Sequence, residues 1–167
     1  MRYGGPAAIS AANPGMPDGG IVGESKYDIL SRLPEEWTIP ACAIEPGTVD
    51  ERMWQVATRL TAKQWSLPVI LKPDVGQRGV GVKLVRTLDE ARAYFVQESG
   101  RVVMQPYHPG PYEAGVFYYR FPDSSQGRIL STTDKHFPVV TGDGRSTLEE
   151  LIWNDAWLRM QAPGFLH

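Results

Sequence analysis

The chain has 167 residues, of which 42% are apolar and 22% charged, with a net charge of −2. That length allows one domain, or two small lobes, with a buried core. The charge gives no overall basic field for nucleic acid, and no apolar run approaches the roughly 20 residues of a membrane span. The single cysteine, Cys42, allows no internal disulfide and reads as a small buried residue. Residues 1–23 are broken by Gly and Pro and carry no signal-peptide apolar region, so the expected compartment is the cytoplasm.

In chain order, residues 1–23 read as an irregular N-terminal arm, and residues 24–66 as a linking, partly helical segment. Ser25 opens a short helix from Lys26 to Leu33, with Ile29, Leu30 and Leu33 on one face, and Pro34 stops it. Trp37 to Ile44 is extended, and Pro40 argues against a central strand. Asp50 reads as the N-cap of a helix reaching about Gln64. Its Met53, Val56, Ala57 and Leu60 fall at i, i+3, i+4 and i+7, a single buried stripe.

Residues 67–104 centre on LPVILKPDVGQRGVGVKLV, Leu67 to Val85. The apolar run Val69-Ile70-Leu71 ends in Lys72 and Pro73, a loop follows with Gly76, Gly79 and Gly81, and a second apolar run spans Val80 to Val85. A strand, a glycine loop and a returning strand expose backbone N–H groups that can surround a phosphate chain, and Lys72 adds a point charge for the same anion. The order G-x-x-G-x-G is not the dinucleotide fingerprint, and the Gly-Lys-Ser/Thr of a P-loop is missing. Read alone, the loop is either a phosphate cradle or an ordinary glycine-rich hairpin.

Thr87 and Glu90 form a capping-box pair for a helix from Leu88 to about Gln97, and Val102 to Met104 is a strand ending at Gln105-Pro106-Tyr107. Residues 105–167 continue with a strand around Gly115 to Phe121, a turn at Ser124 to Gly127, and a return over Arg128 to Thr133. Phe117, Tyr118, Tyr119 and Phe121 suit a half-buried strand. Ser146 and Glu149 cap a last helix to about Trp157, on which Trp153 and Trp157 form one buried face. The order of elements predicts an α+β fold. His108 and His136 have no third partner spaced for a metal, so structural roles are expected and no metal ligand is assigned.

Taken together these stretches resemble the ATP-grasp ligases, in the branch similar to D-alanine–D-alanine ligase. Lys72-Pro73-Asp74-Val75-Gly76-Gln77-Arg78-Gly79-Val80-Gly81 looks like that family's lysine, proline and triphosphate-covering loop. Lys26 stands where the family has an earlier phosphate-directed lysine. Gln105-Pro106-Tyr107 followed by Glu113 is similar to its adenine-pairing strand and ribose-binding glutamate, with Gln105 replacing an acid. Thr133-Asp134-Lys135-His136 and Val140 to Thr147 resemble cyanophycin-synthetase-type enzymes, and make Lys135 a γ-phosphate candidate. Arg78 is either a phosphate ligand or a solvated turn residue.

The resemblance implies a partial ATP-grasp fold, with the central glycine-loop lobe complete over 67–104 and the C-terminal lobe begun at 105–167 but truncated. It implies ATP bound by Lys26, Lys72, Gly76, Gln77, Arg78, Gly79, Gly81, Gln105, Tyr107, Glu113 and Lys135. Mg²⁺ is implied in the full family enzyme, whose acid strand and Glu-x-Asn are not found after Lys135; Asp143, Glu149, Glu150 and Asp155 stand there instead. The implied activity is ADP-forming ligation of a small-molecule carboxylate to an amine through an acyl phosphate, with no nucleic-acid or membrane partner and homo-oligomerisation left open. A nucleotide-binding module without ligase activity is the alternative, and a plain α+β interaction domain a third.

Overall fold

The computed structural model describes residues 13, 15–20, 23–76, 79–110, 112–136 and 138–166. Over these residues the fold is α+β, with five α-helices and two antiparallel sheets. The chain divides into two compact units, residues 1–108 and 109–167.

In the first unit, β1 (Cys42–Ile44), β2 (Val69–Pro73), β3 (Lys83–Val85) and β4 (Val102–Pro106) form one sheet in the order β1-β4-β2-β3. Every neighbouring pair is antiparallel. The strand after Pro40 is thus an edge strand, where a nearby proline costs no ladder bond. Side chains alternate between faces, so the register sorts this sheet's two jobs. Val69, Leu71, Val102, Met104, Cys42 and Ile44 form the core with Val56, Val85, Ala91 and Phe95. The other face carries Ile70, Lys72, Ala43, Val103 and Gln105.

The core face is covered by α2 (Val49–Lys63) and α3 (Leu88–Gln97), which pack on each other and on β1 and β3 respectively. Burying each large aliphatic or aromatic side chain contributes about 1.5–3 kcal/mol, so this cluster dominates the unit's stability. Thr48, not Asp50, caps α2: its hydroxyl accepts from the Glu51 N–H, and Glu51 returns the bond to the Thr48 backbone. Threonine followed three residues on by glutamate completes a reciprocal box, which Asp50 has no partner to form. Val56 is buried and Met53 and Leu60 partly so, as expected; Ala57 is exposed. Arg52 is fully buried instead. Its guanidinium donates to Glu98 O and to Gly100 O (2.7 Å) and stacks 4.3 Å from the Phe95 ring centroid.

Three further boundaries differ from expectation. A short α1 (Lys26–Leu30) ends before Leu33, and one 3-10 turn (Pro17–Gly20) falls within the stretch read as aperiodic. The returning strand of the glycine hairpin is only Lys83–Val85, because the chain turns through Gly79 and Gly81, both at positive φ. Thr87 caps α3 as expected, but the Glu90 carboxylate accepts from the Arg86 N–H (2.6 Å).

The second unit holds the hairpin β5 (Ala114–Tyr119) and β6 (Arg128–Asp134), α4 (Leu148–Asn154) and α5 (Ala162–Phe165). The aromatic strand is not half-buried. Val116, Phe117 and Tyr118 are exposed, and a bulge between Phe117 and Tyr118 interrupts the alternation on which the expectation rested. Nor do Trp153 and Trp157 share a helical face: α4 ends at Asn154, and both rings are exposed. The helix starts from a Thr147–Glu150 capping box, not Ser146–Glu149, because the Asp143 carboxylate already bonds the Ser146 hydroxyl (2.7 Å) and N–H. Ile152, Leu158 and Ala162 are the cluster buried here.

Candidate functional site

The face of the first sheet opposite the α2–α3 core, where Val103 is fully buried, builds the site. Lys72 pairs across the ladder with Val103, and Gln105 with Ile70. Lys72 and Gln105 are therefore diagonal neighbours on one face, within reach of long side chains. The Lys72 ammonium donates to Gln105 Oε1 (2.5 Å), and Gln105 Nε2 donates to Ile39 O (2.9 Å). Gln105 is 8% exposed, so both ends of its amide are used within the protein.

Lys26 approaches from α1, whose N-cap Ser25 accepts from the Asp28 N–H. Its ammonium donates to Pro73 O (2.9 Å) and Asp74 O (3.1 Å), the residues that follow Lys72. Lys26, Lys72, Gly76 and Gly79 line one cavity of about 50 Å³, a size that suits a small anion and not a whole nucleotide. A Cβ on Gly76 would lie 3.9 Å from Lys26 Nζ. Gly81, at φ +72°, admits no side chain, since a Cβ there would meet Pro73 Cγ at 2.6 Å. The loop is anchored beyond the cavity, where Tyr94 Oη donates to Gly81 O (2.9 Å).

The electrostatics follow from the partners. An ammonium has three donors; among the described residues Lys26 uses two of them and Lys72 one, all on neutral oxygens. No carboxylate among those residues lies within ion-pair distance of either lysine. Burial lowers the Lys72 pKa from its ordinary value, and the Lys26 charge lowers it further. An incoming anion would relieve both effects.

Of the other expected residues, Gln77 and Arg78 lie outside the described residues. Tyr107 is exposed, and its N–H donates to Pro68 O (3.3 Å). Glu113 and Lys135, expected to serve ribose and γ-phosphate respectively, are brought together in the second unit. The Lys135 ammonium lies 2.6 Å from the Glu113 carboxylate, and the Lys135 N–H donates to Glu113 O (3.0 Å). His136 pairs with Asp134 (3.1 Å).

Among the described residues no protein-held Mg²⁺ site is assembled: no three of their His, Cys, Asp or Glu side chains converge. Asp143 accepts from Ser146 and Arg145, which hold its carboxyl down at about 2; Glu150 caps α4, and Asp155 accepts from Trp157 and Leu158.

Asp74 and Arg101 were not legible as site residues. Asp74 is 3% exposed, accepts from the Tyr27 N–H (2.8 Å) and pairs with Arg101 (3.5 Å). Arg101 also pairs with Asp28 (3.2 Å) and Glu45 (3.0 Å) and lies 5.0 Å from the Tyr27 ring centroid. The available signal was an acid between Lys-Pro and the glycine loop, facing a strand entry that starts with arginine. No helix among the described residues is long and apolar enough to cross a membrane. No protein-family profile matches the chain, and no curated protein matches its sequence.

Proposed function

We propose that the first unit binds the phosphates of ATP, and that the chain carries the nucleotide-binding part of an ATP-grasp carboxylate–amine ligase. The observation that carries this reading is the pair of ammonium groups, Lys26 and Lys72, facing one glycine loop with, among the described residues, only neutral oxygens as partners. Such a pair is electrostatically incomplete. Charge-assisted bonds to phosphate oxygens would use its remaining donors, and glycine backbone lets N–H groups approach the same anion. ATP would supply a phosphoryl group to a carboxylate, giving the acyl phosphate that an amine attacks. Lys26 and Lys72 would hold the phosphate chain and offset its charge as it is transferred.

A second reading, nucleotide binding without ligation, is favoured by one observation. Three of the acids that follow Lys135, Asp143, Glu150 and Asp155, are engaged in turns and in a helix cap. Calorimetric titration with ATP, followed by an assay for ADP release with carboxylates and amines, tests both. Saturable binding with release supports the ligase. Binding without release supports the binding module, and no heat and no thermal shift contradict both.

A further inference from the structure

We infer that Asp74 is a positioning residue of the anion site, holding the start of α1 so that Lys26 faces the same loop as Lys72. This rests on the phosphate reading of that loop.

Helix α1 has five residues, and none is buried. A helix that short has no stability of its own, so contacts outside it must set its place. Asp74 supplies several of them. Its carboxylate accepts from the Tyr27 N–H (2.8 Å), one of the helix-start donors that would otherwise lack a partner. Its carbonyl receives the Lys26 N–H (3.0 Å) and the Lys26 ammonium (3.1 Å), and its own N–H donates to Arg101 O (2.9 Å). One residue thus joins α1, the end of β2 and the entry to β4.

A buried carboxylate is costly unless bonded, and this one is bonded to the helix and to Arg101, not to either lysine. Arg101 braces the same helix through Asp28 and the Tyr27 ring. Asp74 therefore places Lys26 without neutralising it. The two ammonium groups repel, and that repulsion opposes the arrangement unless α1 is held.

The test uses the full chain and two readouts. The first is acetylation kinetics of Lys26 by mass spectrometry, with exposed Lys83 as internal reference. The second is calorimetric affinity for inorganic tripolyphosphate in wild type, Asp74→Asn, Asp74→Ala, Lys26→Ala and the double variant. Asp74→Ala is expected to speed Lys26 labelling relative to Lys83, and to weaken tripolyphosphate about tenfold, the scale of one charge-assisted bond. Lys26→Ala weakens it equally, and the double variant no more than either alone. Asp74→Asn keeps an oxygen for the Tyr27 N–H and stays within about threefold of wild type. If Asp74→Ala does not fold, Asp74→Ser, too short to reach Tyr27, replaces it with the same expectations. Unchanged labelling, or effects that multiply in the double variant, overturns the inference. If tripolyphosphate binds none of the proteins, the phosphate reading falls, and the labelling ratio still decides whether Asp74 holds Lys26.

Discussion

In the first unit Lys26 and Lys72 donate to carbonyls and to a side-chain amide, whereas in the second Lys135 sits against the Glu113 carboxylate. The surroundings differ in the same sense. Lys72 is on a sheet whose other face is a packed core, and burial lowers its pKa. The Lys135–Glu113 pair is half exposed, on a hairpin whose residues are nearly all exposed. A lysine whose charge is already balanced in water gains little from an anion. One held partly out of water against neutral oxygens gains more. Three lysines were candidate phosphate contacts in the sequence; their partners separate them.

The largest expected effect concerns the scaffold on the first unit's side of the comparison. Arg52→Met keeps the buried stem but strands Glu98 O and Gly100 O, at a cost of about 2–4 kcal/mol. Urea denaturation measures it, and a loss under about 1 kcal/mol would show that the buried guanidinium is dispensable.

Proton linkage sharpens the contrast at the site itself. The folded Lys72 pKa is depressed, so the unfolded chain binds more protons between that value and the ordinary one, and stability rises with pH across that window. A bound anion favours the charged form, so tripolyphosphate binding should take up protons there and weaken as pH rises through the window. Calorimetry in buffers of different ionisation enthalpy would detect the uptake. Equal affinity on both sides of the window would contradict it.

The smallest effect belongs to the second unit. Glu113→Gln, which removes one charge of an exposed pair, should cost no more than about 1 kcal/mol. A larger loss in thermal unfolding would mean that the hairpin depends on that ion pair.

Much of the first unit was legible because period and caps agreed. Val69 to Leu71, Thr87 before α3, and Val56 with Met53 and Leu60 follow from local rules, whereas Ala57 of the same stripe is exposed. Lys72 and Gln105 were legible as polar residues ending apolar strands, but their mutual bond depends on a register between segments far apart in sequence. Arg52 was invisible for the same reason, since its partners at Glu98 and Gly100 are brought to it by α3. The second unit misled where pattern lacked a partner. Phe117 and Tyr118 read as packing residues, yet the bulge and a two-stranded sheet leave them without a layer to pack on.

The most direct test of the central claim is calorimetric titration of inorganic tripolyphosphate into wild type, Lys72→Met and Lys135→Met. Saturable binding is expected to fall about tenfold or more in Lys72→Met, the loss of a charge-assisted contact in a partly buried site. In Lys135→Met it is expected to stay within about twofold of wild type, as for a balanced surface charge. Equal losses in the two variants, or binding unaffected by Lys72→Met, would contradict the account.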